Sequence, residues 1–304
     1  MVNKRIFLLG CSGEVGSRLT LELLKKGFIV KGIRGSKPCK IEDKNHFCTT
    51  VNLLTSNESL NLKGFKPDVM IHCAWITTPK EFWNSPLNTD WVRVSKKLIM
   101  DFEASGGKYL VVTSTCAEYS WSGGRSLSET AEVDPQSIYG KSKLELLNWI
   151  EQRDLPFLWT RTFFQFGLNE PTGKLIPSII DAILKGDSFE VQNENDVRDF
   201  IYINDVVSAL DVLICQEELG IINLGTGSGT AIRSITDLIA NKMGRNDLIQ
   251  YKSIHGATST VVSNPEKLLS RISDHRWTPL DLAITETIRS RSKLFYLKTN
   301  NMQI

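Results

Sequence analysis

The chain opens on Ile6-Phe7-Leu8-Leu9, an unbroken apolar run of strand length, followed by an amphipathic stretch from about Ser17 to Lys26 that Gly27 closes. Phe28 to Ile33 is apolar again. The alternation continues with Val69-Met70-Ile71 after Pro67, a helical stretch from Trp91 to Glu103 ended by Gly106-Gly107, and a strand from Tyr109 to Thr113. A helix around Tyr139 and a strand from Phe157 to Thr160 complete the series. Continuous apolar strands separated by amphipathic helices predict an α/β fold built on a doubly wound parallel sheet.

Past about Gly167 the rhythm loosens, with Pro171, Gly173 and Pro177 punctuating shorter elements through Ile201-Tyr202-Ile203 and Ile221-Ile222-Asn223. This predicts a larger domain over residues 1–167 and a smaller α/β domain over 168–304, with 196–224 packing back onto the first. Ligands of such sheets sit beyond the carboxyl ends of the strands, so the cleft between the two parts is the expected site.

Composition narrows the classes. The chain has 304 residues, 41% of them hydrophobic, and a formal net charge of +2, enough for a large core and no bulk attraction to nucleic acid. The first apolar run has neither the span of a membrane helix nor the layout of a signal peptide, which predicts a soluble, cytoplasmic protein with no membrane partner. Six cysteines (Cys11, Cys39, Cys48, Cys73, Cys116, Cys215) and four histidines lack metal-type spacing, so neither a disulfide framework nor a metal site is expected.

Candidate chemistry begins at Gly10-Cys11-Ser12-Gly13-Glu14-Val15-Gly16, between the first strand and the first helix. Missing side chains there let backbone approach a pyrophosphate at a helix N-terminus, the arrangement of a dinucleotide-binding Rossmann domain. At the end of the second strand an acid would serve NAD; Gly32-Ile33-Arg34-Gly35-Ser36-Lys37 offers cations instead. Arg34, with Ser36 and Lys37 beside it, therefore favours NADP(H) through the 2′-phosphate; read as a solvated loop charge, Arg34 tolerates NAD equally.

Tyr139 and Lys143 stand four residues apart, on one face of the expected helix. Tyr titrates near ~10 in water, and an adjacent ammonium favours its phenolate, which predicts a Tyr139 pKa drawn downward and a proton-transfer pair. Asp134-Pro135 is the expected start of that helix, as N-cap and first helical position.

Together these residues resemble the extended short-chain dehydrogenase/reductase family, the NAD(P)-dependent nucleotide-sugar epimerases, dehydratases and reductases. The likeness rests on five ordered matches: the glycine turn; Asp68 to Ala74 closing the fourth strand; Thr113-Ser114-Thr115 after the fifth; Tyr139 with Lys143; and Val197 to Asp205. Asn223-Leu224-Gly225-Thr226-Gly227 and Arg276-Trp277-Thr278-Pro279 resemble the second domain of that family.

The resemblance implies that Tyr139 exchanges a proton with the sugar oxygen, that Lys143 holds the nicotinamide ribose, and that Thr115, with Ser114 as neighbouring substitute, orients the oxygen. Cys73 and Ala74 would flank the cofactor, and a nucleotide-diphosphate sugar would be the substrate. Where 4,6-dehydratases of the family carry Asp-Glu after the catalytic Thr, this chain has Cys116-Ala117, which disfavours dehydration; Glu118, one place too late, reads as a local charge near the cleft mouth.

Two family asparagines are replaced, around Arg93 and at Phe164, leaving the diphosphate to Arg198 and to Lys174 unless the latter is simply solvated. Of Trp75, Trp83, Trp91 and Trp121, Trp75 is the first choice for stacking on substrate, the alternative being core packing. The resemblance also implies a homodimer formed by the Trp91–Glu103 and Tyr139 helices. Its reductases consume NADPH, its epimerases retain their cofactor, and a non-catalytic dinucleotide-binding protein would discard Tyr or Lys. The expected activity is NADPH-dependent reduction of a C4 keto group on a nucleotide-diphosphate 6-deoxysugar, with an epimerase as the alternative.

Overall fold

The apolar runs of the sequence lie side by side in a sheet of seven parallel strands, one of which, the exposed edge strand His46–Thr50, the sequence pattern did not predict. A computed structural model describes residues 4–56, 60–122, 126–252, 258–272 and 276–300. Its strands are β1 (Arg5–Leu9), β2 (Ile29–Arg34), β3 (His46–Thr50), β4 (Val69–His72), β5 (Tyr109–Thr115), β6 (Ser126–Leu127) and β7 (Phe157–Thr162). They continue with β8 (Phe164–Phe166), β9 (Phe189–Gln192), β10 (Val197–Tyr202), β11 (Gly220–Leu224), β12 (Gly229–Ala231), β13 (Ile249–Lys252) and β14 (Thr260–Ser263). The helices are α1 (Glu14–Lys25), α2 (Leu62–Phe65), α3 (Leu87–Ala104), α4 (Ile138–Ile150), α5 (Leu175–Lys185), α6 (Ile203–Cys215), α7 (Ile232–Met243), α8 (Glu266–Arg271) and α9 (Leu280–Asn300).

The main sheet has the order β11-β7-β5-β4-β1-β2-β3, so the chain winds outward in both directions from β1 and β4. Alternation along β1 shows why both faces are covered. Ile6 and Leu8 point to the layer where α1 and α6 bury Leu19, Leu23, Val206 and Leu210. Phe7 and Leu9 point to the opposite layer, where α3 and α4 bury Leu98, Phe102, Leu146 and Ile150. Each such side chain stabilises the fold by about 1.5–3 kcal/mol on burial, and β1 is sealed on both sides.

Helix starts differ from the sequence expectation for local reasons. α1 begins at Glu14 rather than Ser17, because the Gly13 carbonyl already accepts from Ser17 N at 3.0 Å. α3 begins at Leu87 rather than Trp91, led in by Ser85-Pro86. α4 is capped by Ser137, whose Oγ accepts from Gly140 N at 3.0 Å, and not by Asp134-Pro135; Asp134 is taken up by the Gln136 amide at 2.7 Å.

A second sheet runs β12-β10-β14-β6, with β8 also paired to β10. The fully buried Asp199 on β10 ties its surroundings together, accepting from Thr226 N and Oγ1, Gly227 N, and Ser263 N and Oγ. Asp205 in the first turn of α6 accepts from Thr278 N at 2.9 Å and Thr278 Oγ1 at 2.8 Å, which fixes the segment before α9. α5, α7 and α9 enclose their own core of Ile176, Ile180, Ile235, Ile239 and Ile284. Among the described residues no helix is long and apolar enough to cross a membrane.

Candidate active site

A cavity of about 1160 Å³ opens at the carboxyl ends of β1, β2, β4, β5 and β7, where β1 and β4 diverge in chain order. The sequence-predicted residues Gly10, Gly13, Glu14, Val15, Gly16, Arg34, Ser36, Cys73, Ala74 and Trp75 line it. Ser114, Thr115, Tyr139, Lys143 and Lys174 complete the set at the wall. Ser12 and Arg198 are not brought to the wall. Ser12 is buried in the turn, and the Arg198 guanidinium donates to Val197 O, Ser259 O and Asp196 while lying 5.6 Å from the Trp121 ring centre.

The glycine turn is shaped by close backbone approach. Gly10 has φ +86°, and a Cβ there would stand 2.9 Å from Ala74 N; a Cβ on Gly16 would stand 2.2 Å from Gly10 O. The turn thus presses β1, α1 and the segment after β4 together. Gly13 N is spent on Gly10 O at 2.9 Å, so the donors left for an anion are those of the first turn of α1, around Glu14 and Val15. This cradle, opening into the cavity, fits a dinucleotide pyrophosphate. Among the described residues Arg34, at the end of β2, donates to backbone carbonyls alone, Lys37 O at 3.1 Å and Gly35 O at 3.4 Å, while Lys37 pairs with Glu14 at 3.1 Å.

Gly140 explains how Tyr139 reaches the site. A Cβ at Gly140 would meet Ala117 O at 2.3 Å, so only glycine lets the first turn of α4 settle on the turn that follows β5. Tyr139 N donates to Trp83 O at 3.0 Å, and its ring meets Phe82 and Trp83 edge-on at 5.2 and 6.0 Å. Thr115 Oγ1 accepts from Ala117 N at 3.1 Å, and the Thr115 side chain stands beside Tyr139 at the cavity wall.

The electrostatics differ from the expected Tyr–Lys pairing. Burial raises the Tyr139 pKa above the ordinary value; the neighbouring Thr115 hydroxyl opposes this, and Glu118 and Cys116 add to it. Lys143 does not supply the lowering, because its Nζ donates to Thr113 O at 3.1 Å and lies 3.9 Å from the Trp75 ring centre. Only 2% exposed, Lys143 is itself pushed down to about 7 by burial, with Glu118 and Cys73 holding it from falling further. Tyr139 is therefore a neutral phenol, and Lys143 titrates near neutrality.

Trp75, Trp83 and Trp91 all line the cavity, so the aromatic excess belongs to the site more than to the core. Trp75 stacks on Trp91 at 5.9 Å, and its Nε1 donates to Asn88 Oδ1 at 2.8 Å. Asn88 is fully buried and donates to Phe82 O and Ser85 O, clamping the loop that carries Phe82 and Trp83. Sequence reasoning missed Asn88; the Ser85-Pro86 helix start beside it was the available signal.

Glu118 is not a charge at the cleft mouth. It is fully buried, ion-paired to Arg161 at 2.7 Å, and accepts from Trp159 Nε1 at 3.0 Å and from Ser114 Oγ. Ser114 is therefore turned toward Glu118. Lys174 is held by Glu170 at 2.7 Å, Phe164 lines the cavity, and Arg93 is exposed beside Asp90.

Comparison with known proteins places this geometry. The profile of the NAD dependent epimerase/dehydratase family matches residues 6–225. Relatives include UDP-glucose 4-epimerase of Rhizobium meliloti (strain 1021), 26% identical over 331 residues and covering 94% of this chain and 96% of the relative. GDP-6-deoxy-D-talose 4-dehydrogenase of Aggregatibacter actinomycetemcomitans is 25% identical over 302 residues, covering 94% and 98%. Among solved structures, UDP-glucuronic acid 4-epimerase from Bacillus cereus, in complex with UDP-glucuronic acid and NAD, superposes with a TM-score of 0.83 at 20% identity over 95% of this chain and 99% of that one. The seven-stranded parallel sheet, the glycine turn at its switch point and a family match spanning most of the length agree: the chain belongs to the NAD dependent epimerase/dehydratase family.

Proposed function

We propose that this protein is an NADPH-dependent reductase of the C4 keto group of a nucleotide-diphosphate 6-deoxysugar. The observation that carries the reading is the placement of Tyr139: a phenol at the cavity wall beside Thr115, with the first carboxylate after Thr115 in the chain, Glu118, locked to Arg161. Reduction needs a proton donor at the carbonyl oxygen, which a neutral phenol supplies; dehydration needs a second acid–base group, which Cys116-Ala117 does not offer. The dehydrogenase relative, named for chemistry at C4 of a 6-deoxysugar, supports this substrate class.

A bound nicotinamide dinucleotide supplies hydride to the carbonyl carbon. Thr115 orients the substrate oxygen, and Tyr139 releases its hydroxyl proton to that oxygen as negative charge develops there. Lys143, cationic below about pH 7, offers donors to a ribose. The first turn of α1 would hold the pyrophosphate, Arg34 and Ser36 would take the adenosine 2′-phosphate, and Cys73 and Ala74 would flank the dinucleotide. Lys174 is the cation placed to meet a sugar diphosphate. Residues 1–167 with 196–224 form the cofactor half and 168–304 mainly the sugar half. Exposed Leu87, Met100 and Ile138 on α3 and α4 support a homodimer through those helices.

Mixing the protein with NADPH and a panel of dehydratase-generated 4-keto-6-deoxy nucleotide sugars tests the reading. Loss of nicotinamide absorbance with at least one of them is expected, and no loss across the panel rejects it. The epimerase relatives support a second reading, in which the purified protein retains oxidised cofactor and interconverts nucleotide sugars with none added.

A further inference from the structure

The sequence spacing of cysteine and histidine argues against a metal site, yet the fold gathers Cys11, Cys39, His46 and Cys48 at one point. Their four donor atoms all lie within 4.8 Å of one another, and Cys11 Sγ is 3.6 Å from Cys48 Sγ. We propose that these residues form a structural zinc site that staples the edge strand β3 and the segment after β2 to the glycine turn.

Topology makes the cluster. His46 and Cys48 occupy alternate positions of β3 and so project from one face of it, opposite Val30 and Gly32 of β2. Gly32 leaves the room: a Cβ there would stand 2.7 Å from Cys11 Sγ and 3.2 Å from His46 Nε2. Cys11 comes from the turn after β1, and Cys39 from the segment between β2 and β3. No short motif could announce a set contributed by three separate stretches of chain.

Donor chemistry selects the ion. Zn–S bonds of about 2.3 Å and Zn–N bonds of about 2.0 Å put tetrahedral donors roughly 3.5–3.8 Å apart, so the observed separations need close by no more than about an ångström. Three thiols and one imidazole are a structural zinc set, and soft sulfur disfavours magnesium or calcium. His46 supplies the independent observation. Its Nδ1 faces Ile41 O at 3.1 Å, while its buried Nε2 has no hydrogen-bond partner. A proton on Nδ1, donated to that carbonyl, leaves the Nε2 lone pair directed at the three sulfurs.

Binding converts Cys11, Cys39 and Cys48 to thiolates and releases three protons to solvent, His46 binding as neutral imidazole. The resulting cluster carries one net negative charge. A Cys11–Cys48 disulfide would use two of these sulfurs and leave Cys39 and the His46 Nε2 unexplained.

Metal analysis of the full chain, purified without chelator, tests the proposal. About one zinc per chain is expected, and the metal-stripped protein should bind Co²⁺ with the intense thiolate charge-transfer absorption of a tetrahedral site. Cys39→Ser with Cys48→Ser, and separately His46→Ala, should lower zinc content several-fold while circular dichroism stays native. Metal-free protein that binds no Co²⁺, unchanged zinc in these variants, or a Cys11–Cys48 disulfide on peptide mapping would each overturn it.

Discussion

Lys143 Nζ lies 3.9 Å from the centre of the Trp75 ring, and Trp75 is held in turn by donating to Asn88 at 2.8 Å. The cation–π contact and Thr113 O offset only part of the cost of burying this ammonium, whose pKa falls from 10.5 to about 7. The folded chain therefore holds fewer protons than the unfolded chain between about pH 7 and 10.5, and stability rises with pH across that window. Lys143→Met should be more stable than the parent by several kcal/mol below pH 7, since each tenfold weakening of proton binding costs roughly 1.4 kcal/mol, with the gain shrinking as pH rises. Urea denaturation at pH 6 and pH 9 reads this directly; a pH-independent difference would contradict it.

Tyr139→Phe removes the hydroxyl and keeps the ring against Phe82 and Trp83. Turnover of the keto sugar should fall about 10²–10⁴-fold, as for loss of a general acid. Cofactor affinity, followed through fluorescence of the cavity tryptophans, should stay within a few-fold of the parent. Turnover near the parental rate would remove Tyr139 from the chemistry.

Glu118→Gln leaves the buried Arg161 without its counter-charge, which should cost about 3–5 kcal/mol in chemical denaturation. Replacing both partners by apolar residues should recover much of that loss. The Glu118 charge also holds the Lys143 pKa up, so the single variant should lower the Lys143 pKa further.

Arg34→Ala should weaken NADPH binding about ten- to a hundredfold, the worth of one charged hydrogen-bonding group of roughly 1.5–3 kcal/mol, and leave NADH binding nearly unchanged. Equal loss for both cofactors would mean that Arg34 supports the fold of the turn instead.

The central strands were legible because they are buried on both faces and read as apolar runs, with glycines at the points of closest backbone approach; the exposed edge strand β3, His46-Phe47-Cys48-Thr49-Thr50, carries no such run and was not. Tyr139 and Lys143 were legible from their four-residue spacing, and Thr115 only from the resemblance to a known family; all three line the cavity. The charge states were not. They depend on Trp75, Thr113 and Glu118 converging on one helix turn, and Glu118 in turn depends on Arg161, 43 residues away. Ser137 rather than Asp134 caps α4 because Gly140 must settle on Ala117, a contact no helix-start signal contains. The sulfur cluster was hidden for the same reason: strand pairing, not sequence spacing, assembles it.

Net reduction, as opposed to transient oxidation with the cofactor retained, is tested most directly by mass spectrometry of the sugar formed with NADPH carrying deuterium at both nicotinamide C4 positions. The account predicts one deuterium on the former carbonyl carbon and one oxidised cofactor released for each sugar reduced. An unlabelled sugar of inverted configuration, formed with no consumption of added NADPH, would contradict it.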